Sequence, residues 1–186
     1  SPHDALPISS ISVNLNVGIE GFWDGTTQVS DTVTAELRSS TSPYNTIDAA
    51  KTVITSGTGF GTFEFLSAPS GSYYIAVKHR NSLETWSASP ISMSAGGSYN
   101  YNFTTSASQA YGNNTVLKLG RYCNFSGDVN QDGFINLIDV DSTYNGSGGF
   151  LSGYEVTDLN GDNIVNLNDL LIAYNNSCAF ISVMKP

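Results

Sequence analysis

At 186 residues and a formal net charge of −9, the chain is long enough for one large or two small domains with a real core. The absence of a basic stripe excludes a nucleic-acid partner, and no run approaches the ~18 apolar residues of a membrane-spanning helix. Charged residues are only 12%, while Ser, Thr, Gly, Asn and Tyr are plentiful, which suits an extracellular β-protein, secreted or cell-surface, better than a cytosolic enzyme.

Residues 1–8 (SPHDALPI) read as a non-native leader and are set apart from functional reasoning. Residues 9–122 then read as one β-domain. In residues 11–22 the apolar set Ile11, Val13, Leu15, Val17 and Ile19 alternates with Ser12, Asn14, Asn16, Gly18 and Glu20, the pattern of a long half-buried strand. Further strands are expected over 32–38, 50–55, 62–66, 72–79, 86–93, 99–105 and 116–119, punctuated by Asp24-Gly25, Pro43, 57–61, 69–71 and Gly96-Gly97. Strands at such intervals, with no helical period between them, imply an antiparallel sandwich or small barrel. Residues 120–125 form a short linker, so the next domain is expected to pack closely against the first.

No catalytic set stands out. His3 lies in the leader, and His79 in Lys78-His79-Arg80 reads as a solvated strand end; Glu64 and Glu84 are not brought together by the sequence. The protein is expected not to be an enzyme. Trp23, Tyr44, Tyr73, Tyr74, Trp86, Tyr99 and Tyr101 could form a sugar-binding face, although core and cross-strand pairing explains them as well. Asn102, Asn113, Asn124, Asn145 and Asn175 occupy Asn-x-Ser/Thr sequons, and Thr32 lies in an Asp-Thr-Val motif, making six candidate glycosylation sites.

Residues 123–186 carry a duplication. DVNQDGFINLIDVDSTYNGS (128–147) and DLNGDNIVNLNDLLIAYNNS (158–177) align at a spacing of 30. Asp128, Asn130, Asp132 and Asp139 match Asp158, Asn160, Asp162 and Asp169, with Asn136 and Asn166 at the ninth loop position. Oxygen side chains at loop positions 1, 3, 5 and 12 suit a hard cation, and Gly133 and Asn163 tolerate the sharp turn at position 6. The plainer alternative is a pair of Asx-rich surface turns. Eight of the sixteen acidic residues fall between Cys123 and Cys178, where there is no Lys or Arg, so bound cations would relieve the repulsion.

The paired loops, each running into a helix, resemble the type I dockerin module over about 126–177. The resemblance implies two Ca²⁺ ions as cofactors and two antiparallel loop-helix units. The position-7 backbone carbonyls would be those of Phe134 and Ile164. The run GTFEFLSAPSGSYYIAVKH (61–79) is also similar, more diffusely, to carboxypeptidase-regulatory or transthyretin-like sandwiches. The expected fold is therefore mainly β, an Ig-like or transthyretin-like antiparallel β-sandwich followed by a dockerin-like helical module. Cys123 and Cys178 bracket that module and are expected to form a disulfide worth roughly 4 kcal/mol by loop entropy. Two free thiols are the alternative.

A dockerin implies a cohesin-like partner. Yet loop positions 10 and 11, where the family recognises its partner, hold Leu137-Ile138 and Leu167-Asn168, which fit intramolecular packing or a drier interface. The reading favoured from the sequence is a structural subunit of an extracellular filament. Ile11, Val13, Leu15, Val17 and Ile19 would form an inter-subunit strand linking copies of the chain head to tail. Docking to a cohesin-like protein and carbohydrate binding are the alternatives.

Overall fold

The structure, a computed structural model, describes residues 9–186. The expected leader at 1–8, with His3, lies outside the described residues. Ten strands and two helices follow: β1 (Ile11–Asn16), β2 (Thr32–Ser39), β3 (Thr46–Val53), β4 (Phe60–Phe65), β5 (Gly71–His79), β6 (Ser82–Trp86), β7 (Ile91–Met93), β8 (Ser98–Asn102), β9 (Val116–Lys118), β10 (Arg121–Cys123), α1 (Leu137–Gly148) and α2 (Leu167–Cys178). The chain is mainly β and sandwich-like. One sheet has the order β4-β1-β8; the other runs β3-β2-β5-β6, with β7 on the far part of β5. Between them the inward residues of β1 meet Val33, Leu37, Phe63, Ile75 and Val77 in one buried core.

β1 is the central strand of its sheet. It pairs antiparallel with β4 and parallel with β8, so the sandwich is mixed rather than wholly antiparallel. Ile11, Val13, Leu15, Val17 and Ile19 are fully buried inside their own chain. A strand hydrogen-bonded on both sides has no free edge to offer a neighbour. The expected inter-subunit strand is thereby corrected, and the head-to-tail filament loses its means of assembly.

The strand expected over 86–93 is two strands. β6 pairs with β5 near His79, and β7 pairs with its start at Gly71–Tyr73. Pro90 lies between them and has no N–H for a ladder. The expected linker at 120–125 contains β10, which forms a hairpin with β9. Gly18 allows β10 to approach: a Cβ there would lie 2.5 Å from the Tyr122 carbonyl oxygen.

Each helix begins at an Asn cap. Asn136 and Asn166 accept the N–H of Ile138 and Asn168 at 2.7 and 2.8 Å, and Asp139 and Asp169 reach back to the caps' own N–H groups at 2.9 Å. These are capping boxes with Asp in place of the usual Glu or Gln. The duplication also extends further than 177. Leu151 accepts the N–H of Val165 at 2.9 Å, and Ile181 accepts that of Ile135 at 2.9 Å. Each unit thus sends a short extended segment across to the other unit's loop, and the second of these, the C-terminal tail, also meets the β-domain, where Asn114 donates to the Ser182 carbonyl at 2.9 Å. Phe150-Leu151-Ser152 and Phe180-Ile181-Ser182 are the sequence trace of that exchange.

Candidate protein-docking face

The loops come first, because they set the helices. Asp128 accepts the N–H groups of Asp132 and Gly133 at 3.1 and 3.2 Å; Asp158 accepts those of Asp162 and Asn163 at 3.2 and 3.1 Å. Asp139 takes the N–H of Val129 at 3.0 Å, and Asp169 that of Leu159 at 2.7 Å. Asp132 and Asp162 accept Phe134 and Ile164 N–H at 2.9 Å. Asn130 and Asn160 donate their amide nitrogens to the Asp132 and Asp162 carboxylates at 2.9 Å, and their side-chain oxygens accept the N–H of the same residues at 3.0 Å. Burial, with Asp139 nearby, pushes the Asp128 carboxyl up to about 6. Among the described residues no group of three or more His, Cys, Asp or Glu is gathered to hold a metal ion. The expectation of two Ca²⁺ ions is corrected: these side chains close the turns by accepting N–H groups, as Asx turns do.

The loops fasten the helical part to the sandwich through buried polar groups. Asn81 donates to the Asp158 carbonyl at 2.7 Å and accepts the Gly127 N–H at 2.7 Å. Glu20 accepts the Ser126 N–H at 3.1 Å and the Asn176 amide at 2.6 Å, and burial raises its pKa. Gly21 passes so near the Leu159 carbonyl that a Cβ would lie 1.9 Å from its oxygen. Asp31 is the densest node. It accepts His79 Nε2 at 3.1 Å, Arg80 Nε at 2.9 Å and the Tyr154 hydroxyl at 2.6 Å. Burial raises its pKa, but these three donors outweigh it and hold the carboxyl well below the usual range. Burial lowers the His79 pKa.

His79 also meets the Ser82 hydroxyl at 3.0 Å, completing a Ser-His-Asp chain. With Ser82 fully buried and His79 only 3% exposed, it has no approach for a substrate carbonyl. The solvated reading of His79 is thus corrected. Glu64 lies on β4 and accepts from Ser10, whereas Glu84 on β6, in the other sheet, pairs with Lys78 at 3.4 Å.

The aromatic residues do not make one face. Tyr44, Tyr74, Trp86 and Tyr111 pack edge to face on one another, whereas Tyr73 is buried, Trp23 lies under Arg121, and Tyr99 and Tyr101 pack on the core. Cys123 and Cys178 are free thiols, which corrects the expected disulfide. Cys123 is buried on β10, where burial pushes its thiol up to about 12, and Cys178 is exposed at the end of α2. Of the sequons, Asn124 is buried, while Asn113, Asn145, Asn175 and Thr32 are exposed and Asn102 is half-buried.

The site that does stand out is a groove of about 670 Å³ along α1 and α2. Leu137, Val140 and Tyr144 form one wall; Leu167, Leu170 and Tyr174, their counterparts one repeat later, form the other. Leu137 and Leu167 are 75% and 73% exposed, so loop position 10 is not spent on intramolecular packing. Asp141 and Leu171 also line the groove and break its symmetry.

No family model matches the chain, and no curated protein matches it. Among solved structures, two crystal structures of type II cohesin–X-dockerin complexes from Acetivibrio cellulolyticus align with it. One, an N-terminal interface mutant, is 19% identical over 92% of this chain and 99% of that one, with a TM-score of 0.48. The other, a C-terminal interface mutant, is 17% identical over the same shares, with a TM-score of 0.49. The resemblance to a type I dockerin behind a carboxypeptidase-regulatory or transthyretin-like sandwich is corrected: no family model of either kind matches the chain.

Proposed function

We propose that this chain is an extracellular docking module that binds another protein, a module of the cohesin–dockerin class, through the groove between α1 and α2. The observation that carries this is the exposure of Leu137, Tyr144, Leu167 and Tyr174, with half-buried Val140 and Leu170 between them, as one apolar surface on an acidic body. Exposed apolar patches with polar surroundings mark association surfaces, and aromatic and aliphatic anchors dominate their energetics. The rigid joint built on Asp31, Asn81 and Glu20 supports the same reading, because it presents the groove on a fixed body. The cohesin and X-dockerin of the aligned complexes supply the partner class to test. The low charge content favours a secreted or cell-surface location, and no helix among the described residues is long and apolar enough to cross a membrane. We divide the chain into a β-domain at 9–122 and a helical docking part at 123–186.

The test is titration calorimetry of the full chain against recombinant cohesin and dockerin modules, including the Acetivibrio cellulolyticus pair. At least one module should bind, and Leu137→Ser with Leu167→Ser should weaken it by more than about 30-fold with the fold intact. Binding unaffected by that double change would refute the groove; no binding by any module would refute the partner class.

A further inference from the structure

Each helix ends on a residue that the backbone disfavours. Helices commonly close with a left-handed residue, almost always Gly or Asn, because a Cβ is crowded there. Here Phe150 and Phe180 hold those positions at φ 53° and 54°. Leu151 and Ile181 then donate five residues back, to Gly146 at 3.1 Å and Asn176 at 3.4 Å, closing each helix end. A bulky residue in this conformation is an outlier. The two phenylalanines are also 89% exposed, the most of any large apolar side chain among the described residues. Helix closure explains the left-handed backbone but not the choice of Phe for it: backbone strain and apolar exposure coincide at matching points of both repeats.

The phenylalanines adjoin the groove. Phe180 shares a recess of about 250 Å³ with Ile135 and Leu137, and Leu137 is also a wall of the groove. At the other end the backbone runs the same way: Leu151, next to Phe150, accepts the N–H of Val165, two residues before Leu167, as Ile181 accepts that of Ile135. The exposed charge there is acidic: between Cys123 and Cys178 there is no Lys or Arg, and of the eight carboxylates Asp132, Asp141 and Asp162 are exposed, whereas Asp128, Asp139, Asp158 and Asp169 are buried in the loops. A second copy of this face would meet its own charge, and so would an anionic membrane.

We infer that Phe150 and Phe180 are the end anchors of the docking face, and that its occupant is a protein surface with apolar recesses at both ends and a rim of Lys or Arg. This inference rests on the proposed docking function and adds the residues and charge that select the partner. The strain is retained because each Phe inserts into the partner, burying the ring that the free chain leaves in water.

The experiment uses the full chain, the same recombinant cohesin and dockerin modules, and the variants Phe150→Gly, Phe180→Gly and the double change. Glycine suits the backbone at both positions, so the variants should melt at or above the parent temperature. The double variant should lose roughly 100-fold in affinity for the module that binds the parent. Parent affinity should also fall about ten-fold between low and high salt, as expected of a basic rim on an acidic face. Binding within about three-fold of the parent, or no salt dependence, overturns the anchor inference and leaves the groove standing. If no module binds the parent, the docking function fails and the anchors fail with it.

Discussion

Replacing Asp31 by Asn tests the joint between the sandwich and the helical part. The native carboxylate receives three side-chain donors from three residues: His79, Arg80 and Tyr154. An amide of the same shape offers one acceptor oxygen and turns an NH₂ toward the remaining donors. Arg80 is mostly buried, and its other acid is Asp158 at 3.7 Å. Removing one member of a buried ion pair costs about 3–5 kcal/mol. The lost Tyr154 and His79 bonds belong to the same network and are not added to that figure. The expected loss at pH 7 is therefore about 3–5 kcal/mol, a large part of the 5–15 kcal/mol that holds a domain folded. Urea unfolding should show it as a lower midpoint with the slope unchanged. The pH dependence has a definite sign. Asp31 has a folded-state pKa below its unfolded value near ~3.9, so its stabilisation is complete above that value and fades as pH falls through the folded one. His79 is lowered, so it adds a loss that begins as pH falls below about 6.5. The gap between parent and variant should narrow below about pH 4. A loss under 1 kcal/mol at pH 7, or a gap constant from pH 7 to 3, would refute this account of the joint.

Other consequences can be checked in the same material. Gly21→Ala should cost more than about 3 kcal/mol, because a Cβ would sit 1.9 Å from the Leu159 oxygen; near-parent stability by urea unfolding would show that the two parts do not meet there. Leu15→Ala, at a fully buried site on the central strand, should lose about 2–5 kcal/mol while the parent stays monomeric in sedimentation at high concentration; concentration-dependent polymers would restore the filament. A thiol reagent should label Cys178 in the native protein and Cys123 only after unfolding, given the burial that pushes Cys123 up to about 12; two protected thiols released by reductant would instead reveal a disulfide.

The parts legible in the sequence are those with local periodicity. The alternation from Ile11 to Ile19 marked the core face of β1, and the duplication at 30 residues placed both helices and their Asn caps. The sequence did not disclose that β1 is central, because pairing with β8 some 86 residues away leaves no local mark. Glu20 looked solvated by alternation, yet its partner Asn176 lies 156 residues on. His79 and Asp31 were missed as a pair for the same reason. The groove is half legible: Leu137 and Leu167 depart from a usual cohesin contact in the sequence, but whether they face inward or outward depends on how the helices pack. The Phe150 and Phe180 signal is present as a repeated Phe-Leu/Ile-Ser just past the aligned stretches 128–147 and 158–177.

The central claim is that docking uses the paired helices and not the sandwich sheets. Hydrogen–deuterium exchange of the full chain, with and without whichever cohesin or dockerin module binds, addresses it most directly. Protection on binding should fall on 137–144 and 167–174 and on the helix ends at Phe150 and Phe180, leaving β3, β4 and β8 unchanged. Protection confined to the sandwich strands, with the helices exchanging as in the free chain, would contradict it.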